Sequence, residues 1–166
     1  MKRRILLVDD DLAVLLTLKA VLELHGFEVD TAASSAEAFG RLESGVYQMV
    51  ISDLRMETEE AGLEVLRAAR RQAYDPATAL LTAYPPSGEH WREEHGRGEH
   101  GRGEGHQEES RSEDQPASAD SLLIKPLGTG DLLRQVEALL IRHADFKQQR
   151  ERNSALSAQE SRHRVG

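Results

Sequence analysis

Ile5-Leu6-Leu7-Val8-Asp9-Asp10-Asp11 is an apolar run closed by three consecutive aspartates. Met49-Val50-Ile51-Ser52-Asp53 repeats the pattern with one acid, Ala79-Leu80-Leu81-Thr82 ends on a hydroxyl, and Leu122-Leu123-Ile124-Lys125-Pro126 ends on an ammonium. Almost wholly apolar strands that stop at polar groups fit a buried parallel sheet whose C-terminal edge opens to solvent. In open α/β sheets that edge is where ligands bind. Crowded carboxylates repel one another, which favours a divalent cation between them. A hydroxyl and a lysine opposite suit an anion with several oxygens, above all a phosphoryl group. The strand ends therefore predict one site.

The segments between these runs read as helices and one wetter strand. Asp10 or Asp11 can cap a helix carrying Leu12, Leu15, Leu16, Leu18, Val21 and Leu22, which stops at His25-Gly26. Phe27 to Thr31 alternates as a strand, and Ser34 with Glu37 forms a capping-box pattern ahead of Ala36, Ala38, Phe39 and Leu42. After an acidic loop at Glu57 to Glu60, a third helix carries Leu63, Val65, Leu66, Ala68 and Ala69, and Pro76 opens the next strand. The order βαβαβαβ predicts a parallel sheet with right-handed crossovers. A last helix is expected from Gly130 to about His143, with Leu132, Leu133, Val136, Leu139 and Leu140 on one side. The polar tail from Lys147 to Gly166 either extends this helix or, the expectation favoured here, frays from it.

Between Pro85 and Ser118 no hydrophobic period exists, and Trp91 is the single large apolar residue. A five-residue repeat, His95-Gly96-Arg97-Gly98-Glu99, recurs at once as His100 to Glu104. Such a composition cannot bury enough surface to offset the entropy of ordering, so a flexible insert is expected. His90, His95, His100 and His106 raise the possibility of metal binding, but intervening Gly and Arg leave them unorganised. His25 and His143 are expected near helix C-termini, where positive charge is favourable.

The 166 residues suit one domain, and a net charge of −8 argues against nonspecific binding to nucleic acid or anionic membranes. Without cysteine there is neither a disulfide framework nor a thiolate nucleophile. The apolar run after Met1-Lys2-Arg3-Arg4 is too short and too quickly acidic for a signal peptide, and no stretch approaches membrane-spanning length. A cytoplasmic location is expected.

The motifs V-D-D at Val8 to Asp10, I-S-D-L-R-M at Ile51 to Met56, L-L-T-A-Y at Leu80 to Tyr84 and I-K-P at Ile124 to Pro126 resemble the receiver domain of bacterial two-component response regulators. The resemblance covers roughly residues 4 to 84 and 119 to 143. It implies a flavodoxin-like, doubly wound α/β fold, a five-stranded parallel sheet in the order 2-1-3-4-5, with the fourth helix degenerate or replaced by the insert. Residues 1–84 and 119–146 would be the receiver, 85–118 the disordered His/Gly/Glu/Arg-rich insert and 147–166 a polar C-terminal tail. The resemblance makes Asp53 the phosphoacceptor, with Asp9, Asp10, Asp53 and the backbone carbonyl of Arg55 holding Mg²⁺. Thr82 would bond one phosphoryl oxygen and Lys125 would pair with another, and the Lys-Pro peptide before Pro126 would be cis. Asp11 would be a cap rather than a ligand.

Three departures from the family pattern stand out. The loop after Asp53 lacks a proline near Glu57 and reaches its glycine, Gly62, one residue late. Leu122 occupies the position of an aromatic switch residue. Thr82 and Lys125 are about twice as far apart as usual, without a recognisable amphipathic helix between them.

The resemblance implies a stand-alone, non-enzymatic phosphorylation switch, with self-dephosphorylation at most. It would take its phosphoryl group from a sensor histidine kinase or phosphotransfer protein and act on an unknown output protein, without direct contact to nucleic acid or membrane. A degenerate receiver serving as a phosphorylation-independent interaction module is the alternative. A haloacid-dehalogenase-type phosphotransferase is disfavoured, since Arg55 stands where that class places its second acid. A DNA-binding regulator is disfavoured by the lack of a basic helix-turn-helix segment after the receiver motifs.

Overall fold

Five parallel strands carry the apolar runs: β1 (Arg4–Val8), β2 (Glu28–Ala32), β3 (Met49–Asp53), β4 (Ala77–Thr82) and β5 (Ser121–Ile124), in the order β2-β1-β3-β4-β5. The computed structural model describes residues 2–83, 120–125 and 128–163, the last seven as backbone alone. The expected insert at 85–118 with its histidines, Tyr84 and the peptide at Pro126 lie outside the described residues. β3 and β4 are buried along their whole length and β1 over all but its first residue, as interior parallel strands covered on both faces must be. β2, at the edge, mixes buried and wetter positions.

Among the described residues, the helices α1 (Leu12–Leu24), α2 (Ser35–Ser44), α3 (Ala61–Arg70) and α4 (Thr129–His163) flank this sheet. On one face Ile5, Leu7, Met49 and Ile51 pack against Leu15 and Leu22 of α1 and Leu132, Val136 and Leu139 of α4. On the other, Leu6, Val8, Val50 and Leu80 meet Leu42 of α2 and Val65, Leu66 and Ala69 of α3. Alternate residues of each strand thus feed opposite cores, which is the doubly wound arrangement. Burying each such aliphatic side chain contributes about 1.5–3 kcal/mol.

The caps agree with the sequence, with adjustments. Asp11, not Asp10, caps α1, its Oδ1 accepting from the N–H of Ala13 at 2.9 Å and of Val14 at 3.3 Å. Gly26 ends that helix at φ +88°, a conformation costly for other residues. Ser34 Oγ accepts from Glu37 N–H, while Glu37 reaches past the cap to the N–H of Ala33. Leu12 and Leu16, expected on the packed side of α1, are 64% and 58% exposed. A helix touching the sheet on one side buries only one stripe, and α1 has more leucines than that stripe can hold.

The largest difference is at the C-terminus. The helix expected to stop near His143 continues to His163, 35 residues in all. No Gly or Pro interrupts residues 131–163. Lys147 Nζ donates to Tyr74 O at 3.0 Å, and Arg150 pairs with Asp75 at 2.5 Å, so the polar segment is anchored rather than frayed at its start. His143 is consequently mid-helix, where its Nε2 lies 2.9 Å from the carbonyl of Asp75, instead of serving a helix terminus.

Candidate functional site

Parallel pairing delivers every strand end to one edge. Val8 pairs with Ser52, Asp53 with Leu81, and Thr82 with Ile124, so Asp9, Asp53, Thr82 and Lys125 arrive side by side. One carboxylate oxygen from each of Asp9, Asp10 and Asp53 lies within 4.8 Å of the other two. Lys125 Nζ stands 2.6 Å from Asp9 Oδ2 and 3.1 Å from Asp53 Oδ1. Its backbone N–H donates to Thr82 O at 2.8 Å, extending the β4–β5 ladder into the site. Asp9, Asp53 and Thr82 are 2%, 8% and 3% exposed, while Asp10 faces solvent. Buried acids beside an open one make a site closed below and accessible from above.

Asp9, Asp10, Asp53, Thr82 and Lys125 thus all reach this edge, and Arg55, expected to contribute its backbone carbonyl, lies in the loop beyond Asp53 with its side chain exposed. Asp11 stands apart as the helix cap, and its own N–H donates to Asp9 Oδ1 at 2.9 Å, holding that carboxylate in place.

Burial pushes the Asp53 carboxyl above its ordinary value, and the hydrogen bond and charge of Lys125 offset this only in part. Burial alone would pull Lys125 down, but its hydrogen bonds and attraction to Asp9 and Asp53 outweigh it and hold the ammonium above the usual lysine value. Lys125 is therefore charged, with its shorter bond to Asp9.

Two supporting residues lie outside the strand-end pattern. A Cβ on Gly62 would lie 1.9 Å from the carbonyl oxygen of Asp53, so only glycine lets the first turn of α3 rest on that backbone. The Gly62 N–H donates to Leu54 O at 3.1 Å, clamping the residue after Asp53. Glu57 Oε1 accepts from the N–H of Ser35 at 2.8 Å, tying the loop after Asp53 to the start of α2. Its lateness in the loop marks Gly62 as unusual; the Glu57 contact spans 22 positions, beyond any local pattern.

A hard, all-oxygen donor set from adjacent acids fits a divalent cation such as Mg²⁺. The neighbouring ammonium fits a phosphoryl oxygen. A buried, hydrogen-bonded carboxylate between them is placed to act as a nucleophile.

Residues 5–89 match the family model described as response regulator receiver domain. The chain is 42% identical over 81 residues to the alginate biosynthesis transcriptional regulatory protein AlgB of Pseudomonas putida, covering 49% of this chain and 18% of that protein. It is 30% identical over 139 residues to the transcriptional regulatory protein PrrA of Mycobacterium tuberculosis, covering 84% of this chain and 50% of that protein. The chain thus spans at most half the length of these two relatives. Among solved structures it resembles a CheY-like receiver domain protein of Methanospirillum hungatei, at TM-score 0.67 and 25% identity over 87% of this chain and 98% of that one. It also resembles the response regulator TrrA of Thermotoga maritima in complex with Mg²⁺ and BeF, at TM-score 0.59 and 31% identity over 82% and 98%.

Proposed function

The chain belongs to the response regulator receiver domain family, whose members serve phosphorylation-based two-component signalling, and on that premise we propose that Asp53 is its phosphoacceptor. The observation that carries the reading is Lys125 Nζ in contact with both Asp9 and Asp53, on the edge where three carboxylates converge. An Asp53 carboxylate oxygen attacks phosphorus, the bond to the imidazole nitrogen of a histidine kinase or phosphotransfer protein breaks, and an aspartyl phosphate forms. Water later hydrolyses it, returning the carboxylate and inorganic phosphate. Lys125 pairs with a phosphoryl oxygen and the Thr82 hydroxyl bonds another.

Asp9, Asp10, Asp53 and the carbonyl of Arg55 would hold Mg²⁺. When bound, that ion supplies the positive charge that offsets repulsion between the incoming phosphoryl group and the acids. Output proceeds by a population shift that alters contact with another protein, a reading favoured over direct DNA contact by the net charge of −8. A cytoplasmic location belongs to the same reading. No described helix is long and apolar enough to cross a membrane.

Acetyl phosphate with Mg²⁺ is expected to add one acid-labile phosphoryl group, read by mass spectrometry. The label should vanish in Asp53→Asn and fall sharply in Asp10→Ala or without metal. Labelling that survives Asp53→Asn refutes the assignment; failure of wild type to label favours the phosphorylation-independent interaction module.

A further inference from the structure

β5 is a four-residue edge strand whose own apolar pattern leaves its register open. Leu122, Leu123 and Ile124 are consecutive aliphatics, so a slip of one position would still offer an aliphatic side chain to the buried place of Leu123. The connection from Thr82 is also too long to impose a pairing, as a tight turn would. Yet the site depends on register. With Ile124 opposite Thr82, Lys125 reaches Asp9 and Asp53. A one-residue slip would move it about 3.3 Å along the strand and turn its side chain to the other face.

A polar clamp sits at the opposite end of the strand. Asp120 Oδ2 accepts from both the N–H and the hydroxyl of Thr78, at 2.7 and 2.9 Å. The Asp120 N–H donates back to Thr78 Oγ1 at 3.2 Å, and Arg70 Nη2 donates to Asp120 Oδ1 at 3.0 Å. Thr78 is fully buried, one residue before the pairing of Ala79 with Ser121 begins. The carboxylate therefore takes the place of a ladder acceptor that β5 does not reach. In a slipped strand the buried Thr78 N–H would lose this partner, a loss that an exchange of one aliphatic for another does not repay.

We propose that Asp120, acting with Thr78, is a positioning residue for Lys125: the clamp at one end of β5 sets the register that brings the ammonium to Asp9 and Asp53 at the other. Its consequence for phosphorylation rests on the function proposed above; its effect on register does not.

The test uses the full chain with Asp120→Ala, which removes the clamp, Thr78→Val, which removes the hydroxyl contacts but leaves the Thr78 N–H bond to Asp120, and Thr78→Ser, which keeps the hydroxyl. Hydrogen exchange at the Lys125 amide, read by NMR, needs no phosphorylation. About tenfold faster exchange is expected there in Asp120→Ala and a smaller increase in Thr78→Val, with β1 and β3 amides unchanged and Thr78→Ser like wild type. Unchanged exchange at Lys125, or an equal loss across β1 and β3, overturns the proposal. Labelling of Asp53 by acetyl phosphate forms the second arm. It should slow in Asp120→Ala, but Asp120→Ala should add no further loss in a Lys125→Ala background. Equal penalties in both backgrounds overturn the positioning role. If wild type takes no label, the receiver chemistry fails, and the exchange arm still decides the clamp.

Discussion

Asp53 is buried beside one cation and two other acids, and its carboxyl is raised by burial more than Lys125 lowers it. A carboxyl with a higher pKa in the folded chain binds its proton more tightly there than in the unfolded chain. Stability is then lost as pH rises from the unfolded value, about 4, through the folded one. Asp53→Asn removes it while keeping an oxygen for Lys125. The variant is expected to melt a few degrees above wild type at neutral pH, with the gap closing as pH falls below the unfolded value. An equal or lower midpoint at neutral pH contradicts this balance. Lys125 has the same sign at a more alkaline range: its raised value gives stability that is fully present below the ordinary lysine value and lost as pH rises beyond it. At the scale of single residues the sequence is informative about identity. Acids, hydroxyl and lysine at strand ends can be read directly, but the pairing of Lys125 with Asp9 cannot.

Elements are legible where local chemistry decides them. Asp11, Ser34 and Gly26 stop or start helices through their own side chains and backbone freedom. Gly62 illustrates the contrary case, because its role depends on how closely α3 approaches the end of β3. Gly62→Ala places a methyl 1.9 Å from Asp53 O, and backbone must shift to admit it. A loss on the order of 3 kcal/mol is expected by urea denaturation, with slower labelling of Asp53. A loss within a few tenths would mean that the loop adapts freely. The end of α4 escapes a sequence reading for a related reason. Its polar residues look unsupported in sequence, but Lys147 and Arg150 anchor on Tyr74 and Asp75, more than 70 positions away.

At the scale of the whole molecule, the clearest sequence break is the segment without hydrophobic period between Pro85 and Ser118. Replacing residues 87–115 with a short Gly-Ser linker is expected to leave the unfolding midpoint nearly unchanged. Loop-closure entropy predicts a stabilisation of only about 0.6 kcal/mol per halving of length. A large destabilisation in a thermal melt would mean that Trp91 and its neighbours contribute to the packed domain.

The amino-acid sequence by itself determined the parallel sheet and the chemical character of the site, while the strand order followed from the family resemblance. Strands buried on both faces must be continuously apolar, and the residues that succeed them at the open edge must be polar. Tertiary structure alone decided which carboxylates Lys125 grips, which helix leucines stay in water and how β5 is held in register. Those outcomes depend on contacts between residues far apart in the chain. Leu122-Leu123-Ile124 satisfies the core in more than one alignment, and a buried Thr78 N–H that finds its acceptor in Asp120 selects one of them.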